Sequence, residues 1–260
     1  MLARFQGAQK ALPSDALGSH FGDHEFRLLL RFHLGLAIQD PLEVGCACED
    51  CGEPLDLYGD HTVSCRMAGA YARHNCVASS LEEIARASGF AVRREVTIEG
   101  NERSADLEIA NWSDGRPAAV DPTVVHSLNA SQDWCSPSTL EAVEAAEDAK
   151  VLHYEAACEK AGMTFYPVGM DVFGGYGSRG LSFLKMLFQR YARHSARASE
   201  LLGPGQLQRE CWERVSVALH LAVGRQLARL VCRSGGVPVE ESGRGRPSGG
   251  GGFSFVSLSQ

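Results

Sequence analysis

Residues 40–65, DPLEVGCACEDCGEPLDLYGDHTVSC, hold four cysteines and a histidine but few large apolar side chains. Such a stretch cannot bury enough surface to order itself and needs a staple. The spacing Cys48-x2-Cys51-x9-His61-x3-Cys65 supplies one. Zn²⁺ takes four soft or borderline ligands in a tetrahedron. A Cys-x2-Cys step lets two thiolates from one tight turn bite a single ion, and Gly52 can supply the positive φ of that turn. His61 and Cys65, four apart, face the same way at the start of a helix. Four protein ligands leave no open position, so the ion is expected to be structural. Cys46 competes as a ligand, but Cys46-x-Cys48 is a poorer bite and is left out. Cys76, Cys135, Cys158, Cys211 and Cys232 are scattered and read as core or surface thiols. Nine cysteines, an odd number, argue against a secreted disulfide scaffold. A reducing compartment, cytosol or nucleus, is the default.

Periodicity organises the rest. Asp23 to Leu36 reads as a helix with Asp23 as its N-cap, and Arg66 to Ser88 as another, stopped by Gly89. Ala91–Ile98 and Ser104–Ala110 alternate polar and apolar residues, as half-buried strands do. The turn Ser113-Asp114-Gly115 leads into Pro117–His126, which is apolar on both faces like a central strand. Ser138-x-x-Glu141 is a capping box opening a helix to about Ala161. Met163–Val172 is a fourth strand. Helices follow over 178–200 and 207–232, broken by Gly203-Pro204-Gly205. From Ser234 on, Gly, Ser, Arg and Pro dominate and a disordered tail is expected. The fold class is therefore α/β (α+β): an antiparallel meander joined by a crossover helix to a further strand, making a mixed sheet flanked by helices. The organisation is a helical lead-in (1–44), a knuckle (45–66), an α/β core (67–175), basic helices (176–233) and the tail (234–260). No secretory signal is read at the start, and no run of 18 apolar residues exists to cross a membrane.

Two acids stand out. Asp106 on the second strand and Asp121 on the third would be brought side by side by a short antiparallel turn. Two carboxylates on neighbouring strands suit a hard divalent cation such as Mg²⁺. Asp121 is the more telling, because it interrupts the apolar run AAVDPTVV, where an unpartnered acid costs several kcal/mol. Glu95, on the polar face of the first strand, could be a third ligand or could orient a water. Lys150 lies on the polar side of the following helix with Tyr154 one turn on, and a lysine aimed at a phosphate or a water is a standard part of phosphodiester hydrolysis. The alternative is ordinary strand-end acids and a surface lysine.

Charge is uneven. Residues 176–235 carry ten Arg/Lys, Arg190 and Arg193 among them, against three Asp/Glu, so this segment is +7 and the remainder of a chain of net charge −7 is −14. A basic helical part beside an acidic centre suits phosphate contact, although Arg-rich solvated helix faces would look the same.

Together, CEDCGEPLDLYGDHTVSC, Arg73-His74-Asn75, RSADLEI, GRPAAVDPTVVH and Lys150-x3-Tyr154 resemble, over about residues 45–175, the C-terminal part of site-specific non-LTR retrotransposons. Those elements carry a Cys-Cys-His-Cys knuckle followed by a restriction-like endonuclease of the PD-(D/E)XK type. The resemblance implies that Asp106 is the first metal-binding aspartate, Asp121 the second acid and Lys150 a lysine relocated to a helix. It implies DNA, or RNA of the parent element, as partner, with Arg73 and His74 among the contacts, and a nuclear location. The sequence departs from the pattern at Ala105, where the motif has proline, and at Thr123, where it has lysine. No Tyr-x-Asp-Asp polymerase motif occurs, so a fragment or domesticated remnant is expected. The expected function is a Mg²⁺-dependent endonuclease. The competing one is a catalytically inactive, zinc-containing nucleic-acid-binding module. A zinc hydrolase is disfavoured by the closed ligand set.

Overall fold

The computed structural model describes residues 20–39, 45–65, 67, 69–98, 105–126, 140–196 and 202–233. Residues 1–19, the Ser138 cap and the tail from 234 lie outside them.

Four strands, β1 (Val92–Val96), β2 (Ala105–Ser113), β3 (Arg116–Val125) and β4 (Thr164–Asp171), form one sheet in the order β1-β2-β3-β4. β1, β2 and β3 run antiparallel, and β4 joins β3 in parallel after the crossover helix α4 (Glu141–Lys160). This is the mixed sheet flanked by helices that the alternation implied. β3 is internal and buried from Ala118 to Pro122, consistent with its apolar faces.

The remaining helices are α1 (Asp23–His33), α2 (Asp60–Ser64), α3 (Ala70–Ala87), α5 (Ser178–Ala196) and α6 (Pro204–Arg233). Their boundaries correct the sequence reading in three places. The cap of α1 is Gly22, whose N–H donates to the Glu25 carboxylate, and Asp23 is the first helical residue. Its acid still sits where the helix dipole favours negative charge. α1 stops at His33 because Gly35 turns left-handed (φ 65°), and the Leu36 N–H then reaches back to the Arg31 carbonyl at 2.8 Å. α6 starts at Pro204, not 207, since proline at the first helical position forfeits an N–H that has no partner there anyway.

On one face of the sheet, Leu107, Ile109 and Trp112 of β2 and Val168 and Met170 of β4 pack with Leu81 and Ile84 of α3, Phe183 and Leu187 of α5 and Leu219 of α6. On the other, α4 lays Tyr154 and Cys158 over Ala119 and Phe165. Each such side chain contributes roughly 1.5–3 kcal/mol by leaving water. No helix among the described residues is long and apolar enough to cross a membrane.

α1 docks through Phe32, stacked on Phe173 at 5.1 Å, and His33, whose ring lies 5.1 Å from that of His220 on α6. Burial, then the neighbouring His220, holds the pKa of His33 down at about 2, and burial lowers that of His220. Both folded-state values lie below the unfolded one, so the unfolded chain binds more protons as pH falls below 6.5. For His33 this is expected to lower stability by about 2 kcal/mol between pH 7 and pH 5, and His220 acts in the same direction. Urea melts at the two pH values should show a smaller drop for His33→Leu than for the wild type. An equal drop would contradict the account.

Candidate functional site

The knuckle is a short hairpin followed by one helical turn. The Cys48 N–H donates to the Glu53 carbonyl and the Gly52 N–H to the Cys48 carbonyl, both at 2.7 Å, with Gly52 left-handed at φ 81°. This tight turn presents Cys48 and Cys51 together. His61 rides on α2, and Cys65 is the residue that ends it. The Sγ atoms of Cys48, Cys51 and Cys65 and a ring nitrogen of His61 all lie within 4.8 Å of one another, with Cys51 Sγ 3.3 Å from His61 Nε2. Zinc–sulfur bonds of 2.3 Å place tetrahedral sulfurs about 3.8 Å apart, so the cluster can hold a metal ion and its donor set suits zinc. Cys46 is exposed and outside the group. The expectation that His61 and Cys65 open the long following helix is corrected: they belong to the separate α2, and α3 begins at Ala70.

Asp56, which sequence reading passed over, shapes this loop. Its Oδ1 accepts the N–H groups of Tyr58, Gly59 and Asp60, and its Oδ2 accepts that of His61 at 2.6 Å. An aspartate shortly before a Gly-Asp pair is the available signal, since Asp side chains accept from backbone a few residues on. Two links tie the knuckle to the rest of the chain. His126, at the end of β3, meets the Asp60 carboxylate at 2.9 Å. Arg73 donates through Nη1 to the Val63 carbonyl at 2.8 Å and to Gln226.

The second cluster is acidic. Near the hairpin turn Ser113 pairs with Arg116, a register that would set Asp106 across from Thr123. Between Ile109 and Ser113 the register shifts, with Asn111 left-handed at φ 53°, and beyond it Leu107 pairs with Val120. One step further, Asp106 stands opposite Asp121. A shift of two residues keeps each side chain on its face, and this bulge therefore brings the two acids together. The two carboxyl groups are close enough for each to shift the other's pKa. Lys150 of α4 donates to both oxygens of Asp121 at 2.9 Å, and its ammonium lies 5.6 Å from the centre of the Tyr154 ring. His74 of α3 meets Asp106 at 2.9 Å.

Asp121 is only 2% exposed. Burial, then the neighbouring Asp106 carboxyl, raises its pKa to about 6 against the pull of Lys150. At Asp106 burial acts in the same direction but is outweighed by the His74 hydrogen bond, the Asp121 carboxyl and Lys150, which hold it low. The pair therefore takes up a proton, on Asp121, only as pH falls to about 6.

Other expected site residues lie elsewhere. Glu95 falls across from Asp106 in the β1–β2 register, but its backbone is left-handed (φ 50°) and its side chain exposed. Among the described residues it makes no hydrogen bond to either aspartate. Arg73 is 4% exposed and faces inward, so its reading as a nucleic-acid contact is corrected too. His74 is spent on Asp106. The Arg190 guanidinium lies over the rings of Trp112 (4.7 Å) and Phe90 (5.4 Å), while Arg193 is exposed on α5. No model of a known protein family matches the chain, and no curated protein matches it.

Proposed function

We propose that the chain is a Mg²⁺-dependent DNA endonuclease with a structural zinc knuckle, of the restriction-like kind found in site-specific non-LTR retrotransposons, acting in the nucleus. The observation that carries this reading is the convergence of Asp106, Asp121 and Lys150 from β2, β3 and α4. Two carboxylates on facing positions of neighbouring strands are hard oxygen donors and fit a divalent cation of this type. When bound, the ion supplies Lewis-acid activation of the scissile phosphodiester and of the attacking water. Asp106 and Asp121 hold it. Asp121, already ionised near neutral pH and paired with Lys150, would exchange that partner for the ion, and the Lys150 ammonium would then be available to a phosphate oxygen. His74 keeps Asp106 charged and oriented. Cleavage leaves a 5′ phosphate and a 3′ hydroxyl, which in such elements primes reverse transcription.

A second reading, an inactive nucleic-acid-binding module, draws on the exposure of Glu95 and on Lys150 occupying both oxygens of Asp121. Two variants separate the readings. Lys150→Ala is expected to lower nicking strongly while leaving DNA affinity nearly unchanged, because about one phosphate contact among several is lost. Arg193→Ala should do the reverse, weakening binding and flattening its salt dependence by roughly one charge. Equal nicking by Lys150→Ala and wild type would remove the lysine from the mechanism.

A further inference from the structure

Lys150 reaches Asp121 only if α4 is rotated correctly, and the apolar residues of that helix cannot set the rotation. Its buried positions are Val143, Glu147, Tyr154 and Cys158, and Lys150 falls on the same stripe. A helix whose inner face holds a glutamate and a lysine has no continuous hydrophobic seam to lock it.

Glu147 is fully buried, one turn before Lys150. Its Oε1 accepts the N–H groups of Gly169 on β4 (2.9 Å) and Gly180 on α5 (2.8 Å), and its Oε2 accepts that of Arg179 (3.1 Å). The carboxylate thus closes the first turn of α5, whose orphan amides and dipole favour an acid. The slot is cut to its shape. A Cβ on Gly169 would lie 2.7 Å from Glu147 Cγ, one on Gly180 2.8 Å from Oε1, and one on Gly177 would overlap the carboxyl group. Three glycines from β4, the following loop and α5 leave room for this side chain in one place. Outside, Asp148 pairs with Arg179 and adds a second tie between the same two helices.

We propose that Glu147 is a positioning residue: its clamp on the amides of Gly169, Arg179 and Gly180 sets the rotation of α4 and thereby aims Lys150 at Asp121. The functional consequence rests on the nuclease reading; the clamp itself does not. The residue touches neither substrate nor metal and acts through Lys150 alone.

The test uses Glu147→Gln in the full chain, with Glu147→Asp as the variant that keeps the charge but shortens the reach. Without metal, each protein is treated with an amine-acetylating reagent, and modification at Lys150 is compared with that at exposed Lys160 by peptide mass spectrometry. In the wild type Lys150 should be protected relative to Lys160. In folded Glu147→Gln that protection should fall several-fold, with Lys160 unchanged, and in Mg²⁺ kcat for nicking should fall on the order of 10²-fold with KM little altered. Unchanged protection in either folded variant overturns the proposal. So does rapid exchange of the Gly169 and Gly180 amides in the wild-type chain, a measurement that needs no variant. If no protein nicks DNA in any divalent metal, the nuclease reading fails, and the labelling still decides the role of Glu147.

Discussion

Asp121→Ala is expected to lose divalent-cation binding at the acidic pair and to melt at the same temperature as the wild type or higher. The two effects share a cause. Asp121 is 2% exposed in a strand whose other residues, Arg116 apart, are Ala, Val, Pro and Thr, and its charged form is opposed by burial and by Asp106. Taking a carboxylate out of water costs several kcal/mol, which one partner repays only in part. Lys150, 29% exposed, can return to solvent when its partner is removed. Alanine therefore relieves the fold while deleting a ligand oxygen that nothing nearby replaces, as is common where function is held against stability. Thermal melts and a Mn²⁺ titration followed by electron paramagnetic resonance check both halves. A clear loss of stability with cation binding intact would mean that the Asp121–Lys150 pair is an ordinary structural salt bridge.

Removing zinc should act on the other end of the molecule. Purified protein is expected to carry one zinc ion per chain, and Cys51→Ser with His61→Ala to carry none. The knuckle's own core is Leu55 with the ligands Cys48 and Cys65, so the metal supplies the ordering free energy, on the order of 10 kcal/mol in small zinc modules. Its loss should propagate. Arg73 would keep Gln226 but lose the Val63 carbonyl, leaving a buried guanidinium short of acceptors at a cost of about 1–3 kcal/mol. Metal analysis and amide exchange read this directly: without zinc, residues 45–65 exchange freely while β2 and β3 stay protected. Zinc retained by the double variant would contradict the ligand assignment.

The Cys₃His cluster could be read from spacing because ligand chemistry acts within a short stretch of chain. The strands could be read because their alternation follows one buried face. The facing of Asp106 and Asp121 was legible only as a consequence of a short turn; the bulge near Asn111 that makes it true leaves no periodic trace. The rotation of α4 was not legible, since Glu147 and Lys150 sit where a hydrophobic stripe would be. Arg73 and His74, about 100° apart on one helix, part ways, one inward to the knuckle and one to Asp106, and adjacency alone could not say which. Glu95 fitted the alternation, but its left-handed backbone turns a regular strand position into an exposed one. Asp56 escaped notice because its work is done on backbone amides rather than on a motif partner.

The account stands or falls on whether the acidic cluster cuts DNA. Supercoiled plasmid incubated with the purified chain and Mg²⁺ should convert to open circles, with no conversion when the divalent metal is chelated. Asp121→Ala should slow the reaction by about 10³-fold or more, the several kcal/mol that an ion's charge stabilisation is worth. Conversion that proceeds equally with Asp121→Ala, or no conversion by the zinc-loaded wild type in any divalent metal, would contradict it.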